Sequence, residues 1–170
     1  MRAPTVLALM LTIAGAPGAA RSAGPDLQLS SPAFAAGGAI PARYSAYGQN
    51  RSPPLRWTPV AGAQAYALML QDPDAPGARP FVHWLVWNIP ASAHGLPEGG
   101  LEGAVQGRND TDGLGYFGPR PPSGLHHYHF RLFALDAPLP LSAGADLAAL
   151  TAAMRGHVLA TDELVATYRR

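Results

Sequence analysis

Three places in the chain set ionisable side chains beside rigid turns: Asp72-Pro73-Asp74-Ala75-Pro76, then His83, then His126-His127-Tyr128. A carboxylate that accepts an imidazole N–H orients the ring and favours imidazolium, which is expected to raise the histidine above its usual value of about 6.5. If Asp72, His83, His126 and Tyr128 converge, a cationic imidazole, a phenol and nearby backbone N–H groups make a small anion pocket. Phosphate or a phosphomonoester fits such a pocket. Prolines on either side fix φ and remove donors, so the walls are expected to be rigid.

Other chemistries fit these residues less well. His126, His127 and His129 leave a strand in alternating directions, so at most two of them can meet one ion, and no metal site or cofactor is expected. The chain has no Gly-x-Ser-x-Gly elbow, and Ser52, next to two prolines, has no identifiable base. A hydrolase reading therefore rests on His83 and Asp72 as an acid–base pair for a small ester or phosphate. His127 and His129 are expected to be solvated or packed on the opposite strand face, and His94 and His157 to lie at the surface without partners. Arg79 and Arg120 read as solvated loop residues, and Trp84 and Trp87 as core.

Strands must bring these residues together. Tyr66, Leu68 and Leu70 share one face of a segment ending at Asp72-Pro73. Val82 to Ile89 is apolar on both faces, as expected of an interior strand, and Pro90 ends it. From His126 to Leu135 the alternation is cleaner, with Tyr128, Phe130 and Leu132 on one side and His127, His129 and Arg131 on a wetter one. Leu27 and Leu29 suggest a first strand, and 163–168 a last one. Helical spacing is confined to Leu147, Leu150 and Met154, with Asp146 or Ser142 as cap and Gly156 as terminator. Two stretches, 41–59 and 90–125, lack regular pattern and read as long ordered loops.

The chain has 170 residues, 48% hydrophobic and 14% charged, which suits one domain with a real core. There is no cysteine, so disulfides and thiol chemistry are excluded. A formal net charge of +1 is too small for general nucleic-acid binding. All twelve cations are Arg, which rules out a Schiff-base or Walker lysine. At the N-terminus Met1-Arg2, the apolar run 6–14 and the small residues 15–20 read as a secretory signal peptide over 1–20, cut after Ala20 or, less favourably, after Ala23. The run is too short for a bilayer span, which takes about 20 residues. The mature chain, 21–170, is thus expected to be soluble, periplasmic or secreted, with no transmembrane segment.

The ordered words Asn50-Arg51-Ser52-Pro53-Pro54-Leu55-Arg56-Trp57, Asp72-Pro73-Asp74-Ala75-Pro76, His83 to Pro90, Gly107-Arg108-Asn109-Asp110, Gly115-Tyr116-Phe117-Gly118-Pro119 and Pro121-Pro122 before His126-His127-Tyr128 carry a resemblance. The chain resembles the phosphatidylethanolamine-binding protein family, and within it the bacterial Raf-kinase-inhibitor-like branch. That resemblance implies a mainly β fold of two antiparallel sheets, a β-sandwich with a C-terminal helix. It also implies a pocket of Asp72, His83, His126 and Tyr128, with Asp74, Pro76, Tyr116, Gly118 and Pro119 in its walls. The implied function is binding of a small anion (phosphate, a phosphomonoester or a phospholipid head group) or regulation, with no shared enzymatic reaction. The alternatives are a protein-interaction module, docking a protease or kinase through the surface of 107–124, and the weak hydrolase. Three positions depart from the family pattern. His127 replaces a common Arg, which would lose an ion pair or make it pH-dependent; Arg120 stands where bacterial members often have Cys, which places a fixed cation and a planar fork beside the pocket; Val82 replaces a frequent Trp, which leaves that wall smaller.

Overall fold

The computed structural model describes residues 27–100 and 102–170; the expected signal peptide lies outside them. Two antiparallel sheets make up the fold, as the resemblance implied. The smaller sheet has the order β1 (Leu29–Ser30), β2 (Leu55–Trp57), β5 (Gly95–Leu96). The larger has the order β6 (Val105–Gln106), β4 (Phe81–Pro90), β3 (Ala65–Asp72), β7 (Leu125–Leu135), β8 (Val158–Arg169). One helix, α1 (Leu147–Met154), precedes the last strand. Its N-cap is Asp146, whose carboxylate accepts the Ala149 N–H at 2.9 Å.

The two central strands, β3 and β4, are covered on both sides, which explains their continuous apolar sequence. Tyr66, Leu68, Leu70, Trp84 and Val86 face the smaller sheet in one core, joined there by Tyr128, Phe130 and Leu132 of β7. Ala67, Met69, Leu85 and Trp87 face the other way and meet Leu139, Leu150 and Met154. The outer face of β7 is wet as expected, but its polar groups are paired: Glu163 accepts from Arg131 Nε at 2.6 Å and lies 3.0 Å from His129 Nδ1.

Several sequence expectations change. The stretches 41–59 and 90–125 contain a 3-10 turn at Ala42–Tyr44 and the strands β2, β5 and β6. Elements of two or three residues are too short to display a period. The last strand runs from Val158, not Glu163, because it pairs with β7 along its full length, from Leu135↔Val158 to Leu125↔Arg169. His157 is not partnerless: its Nδ1 lies 2.8 Å from Asp136 Oδ1. Arg79 is exposed but donates two hydrogen bonds to Asp110, at 2.7 and 2.8 Å.

Two irregularities interrupt the β3–β4 pairing. Near the strand ends, Leu70 pairs with Trp84 and Gln71 with Val82, so His83 is the extra residue of a bulge. Val82 packs in one core and Trp84 in the other, an exchange of faces that strict alternation forbids and a bulge permits. At the other irregularity Asn88 adopts φ 53°, and its side-chain amide both donates to and accepts from the Leu139 backbone, at 3.0 and 2.8 Å.

Phe130 is fully buried between the sheets and touches Phe34 at a ring distance of 5.8 Å. Phe130→Ala should lower unfolding stability by about 3–5 kcal/mol, the usual cost of deleting a buried phenyl ring. Urea denaturation checks this: the midpoint should fall with an unchanged slope, and a loss under about 1 kcal/mol would contradict the packing described.

Candidate functional site

β4 and β7 both run antiparallel to β3, so the end of β3 meets the beginnings of its two neighbours. This topology brings Asp72, His83 and His126 to one end of the large sheet. Asp72 is 2% exposed. Its Oδ2 lies 2.7 Å from His126 Nδ1 and 4.0 Å from His83 Nε2, while Oδ1 accepts the Asp74 backbone N–H at 2.8 Å. Both carboxylate oxygens are thereby engaged, as a buried charge requires.

His83 is held from the other side. Its Nδ1 donates to the Phe117 carbonyl at 2.7 Å, and its own carbonyl accepts the Phe117 N–H at 2.9 Å. The imidazole stacks on the Phe117 ring at 5.8 Å and 12°. Phe81 tilts against it at 4.8 Å and Tyr128 meets it edge-on at 5.2 Å. Burial among these rings pushes His83 below its ordinary value, outweighing the opposing pulls of the Phe117 carbonyl and of Asp72. This corrects the sequence expectation of a raised, cationic imidazole: desolvation beats a carboxylate 4.0 Å away.

A cavity of about 350 Å³ opens above this cluster, within the size range of small-ligand sites. Asp72, His83, His126 and Pro76 line it, all four expected from the sequence. Tyr128 does not. Its hydroxyl is buried beneath the site, and burial first, then Asp72, raises its pKa far above the ordinary phenol value. Asp74 lies outside as well, where its Oδ2 accepts the His127 backbone N–H at 2.8 Å and sits 2.7 Å from His127 Nδ1. The contact that replacing Arg by His was expected to lose or to make pH-dependent is therefore kept as a hydrogen-bonded pair, which is an ion pair only when His127 is protonated.

Tyr116, Gly118 and Pro119 also miss the cavity; they build the wall behind it. Tyr116 donates to the Tyr44 carbonyl at 2.7 Å, Gly118 N–H donates to Asn50 Oδ1 at 2.7 Å, and the Pro119 carbonyl accepts from Ala46 at 3.0 Å. A Cβ on Gly118 would lie 2.3 Å from the Tyr44 carbonyl oxygen, so only glycine permits this approach. Phe81, Phe117 and Thr111 line the cavity although the sequence reading left them out of the site, and Arg120, which that reading placed beside the pocket, lines it as well. Phe81 could have been found as the aromatic two residues before His83. Thr111 offers no local signal, because the Asn109 side chain positions it by accepting its N–H and hydroxyl, at 3.0 and 2.6 Å.

A wider, shallow cleft of about 1310 Å³ lies between α1 and the 76–82 and 108–112 segments, sharing Pro76 and Phe81 with the smaller hollow. Its most constrained charges, Arg79 and Asp110, neutralise each other. The smaller cavity alone contains Asp72 and the two histidines, so it is the site with convergent chemistry.

Comparisons with known proteins agree with this architecture. The family model described as phosphatidylethanolamine-binding protein matches residues 30–169. A UPF0098 protein of Methanothermobacter thermautotrophicus is 47% identical over 151 residues, covering 85% of this chain and 99% of its own. LppC of Mycobacterium tuberculosis, named a candidate lipoprotein, is 41% identical over 133 residues, 70% of this chain and 60% of its own. The crystal structure of a candidate phosphatidylethanolamine-binding protein homologue from Chlamydia trachomatis superposes with TM-score 0.81 at 38% identity, covering 85% of this chain and 97% of that one. E. coli YbcL superposes with TM-score 0.79 at 32% identity, covering 85% and 98%.

The neutral His83 has a consequence for stability. The unfolded chain takes up a proton near pH 6.5 that the folded site resists, so this contribution is present above that pH and is lost as pH falls toward the depressed folded value. Between pH 7.5 and 5 the unfolding free energy from urea denaturation should drop more for wild type than for His83→Gln, by at most about 1.4 kcal/mol per pH unit for one proton. Parallel pH profiles in the two proteins would show that His83 is not held neutral.

Proposed function

The chain belongs to the phosphatidylethanolamine-binding protein family, and we propose that it binds a small phosphate-bearing anion in the cavity over Asp72, His83 and His126. The observation that carries this reading is the buried pair of His126 Nδ1 and Asp72 Oδ2 at 2.7 Å. It fixes the ring so that Nε2, which has no hydrogen-bond partner among the described residues, is left for a ligand. The arrangement suits orientation and proton exchange with an acidic oxygen.

A phosphate entering here approaches the Asp72 carboxylate, so an added proton favours binding, whether carried by the ligand or taken up by an imidazole. Phosphomonoesters lose their second proton near pH 6. Affinity should therefore weaken as pH rises beyond that value, by up to about tenfold per unit for one proton. Calorimetric titration with inorganic phosphate and with phosphoethanolamine, on wild type and His126→Ala, tests the site. We expect measurable binding that is at least about tenfold weaker in the variant and that declines from pH 6 to 8. Equal affinities in the two proteins would remove His126 from the site, and binding independent of pH would remove the proton from the mechanism.

We further propose that residues 1–20 direct export and are removed after Ala20. The charged start, apolar run and small residues of 1–20 support this, and the mycobacterial relative is named a candidate lipoprotein. N-terminal sequencing of the mature protein should begin at Arg21, and a mature chain that retains Met1 would refute it.

A further inference from the structure

The cavity is lined by one acidic and one basic side chain besides its histidines, buried Asp72 and exposed Arg120. They are not equally available. The Asp72 side chain is 3% exposed, and its two oxygens are occupied by His126 and the Asp74 N–H. Arg120 is exposed, and its guanidinium carbon lies 5.8 Å from the centre of the Tyr47 ring. Tyr47 is itself anchored, its hydroxyl donating to the Pro121 carbonyl at 2.9 Å. Arg170 adds a second guanidinium over the same ring at 4.8 Å, with Nη1 donating to the Tyr47 hydroxyl at 2.9 Å. Neither arginine forms an ion pair with a carboxylate among the described residues.

A ligand whose phosphate sits against His126 thus carries its remaining atoms out past an unpaired, aromatic-supported cation. An ammonium on that portion finds no free carboxylate in the cavity lining and meets a like charge. A carboxylate meets a planar donor fork that can hold both its oxygens. We infer that the site selects phosphorylated ligands bearing a second acidic group and disfavours those bearing an ammonium, with Arg120 as the selecting residue. This rests on the anion-site reading above and adds the ligand class to it.

Phosphoglycolate and phosphoethanolamine provide the test, because both place one charged group on a two-carbon chain from the phosphate. Calorimetry with these two compounds and inorganic phosphate on wild type should give about tenfold tighter binding of phosphoglycolate than of phosphoethanolamine. In Arg120→Gln the ratio should fall to within about twofold. Should that variant bind neither ester, Arg120→Lys decides: a retained but smaller preference supports the assignment and equal affinities overturn it. Equal affinities in wild type, or an undiminished ratio in Arg120→Gln, also overturn it while leaving phosphate binding at His126 intact. No binding of any of the three compounds to wild type would overturn the anion site itself, and this inference with it.

Discussion

A carboxylate with 2% exposure has to be paid for by hydrogen bonds, and the Asp72 side chain finds them in two different places. One oxygen takes the N–H of Asp74 in the turn that follows, and the other takes the Nδ1–H of His126 from a strand more than fifty residues later in the chain. An unpaired carboxylate at this depth would cost several kcal/mol, so the turn after β3 and the start of β7 are bound to each other through it. The β3–β7 register, running Ala65↔Leu135 to Gln71↔His129, brings the two side chains within reach.

At the same end of the sheet, loops far apart in sequence bond to one another. Segment 116–121 is tied to segment 44–50 by the Tyr116 hydroxyl, the Gly118 N–H, the Pro119 carbonyl and the Tyr47 hydroxyl. Phe117 closes a two-way backbone and side-chain link with His83. Prolines at 73, 76, 119, 121 and 122 add fixed φ values around this frame. The walls of the cavity are therefore tied to one another by contacts between loops far apart in sequence.

Those groups divide the work by depth. At the floor, Asp72 and His126 form a buried pair and His83 is kept neutral by the rings around it. At the mouth, Arg120 supplies a cation in solvent, supported by Tyr47. On the reading proposed above, a charged ligand would meet imidazole nitrogens inside and a guanidinium outside. Tyr128, expected to bind, serves beneath the floor by packing edge-on against His83.

The amino-acid sequence by itself determined the elements whose apolar pattern is long enough to read: the strands β3, β4 and the two-faced β7, and the helix α1 with Leu147, Leu150 and Met154 at helical spacing. It also determined which ionisable residues stand at strand ends, because Asp-Pro and the His-rich start of β7 are local signals. Only the tertiary structure decided which of these meet. The bulge that turns His83 toward Asp72 arises from pairing with β3, and no alternation in its own segment announces it. The neutrality of His83 follows from Phe81, Phe117 and Tyr128 closing around it, residues brought from three segments. Thr111 and Arg120 reach the cavity because hydrogen bonds of Asn109 and Tyr47 hold their loops in place, contacts between residues whose adjacency in space is created by folding.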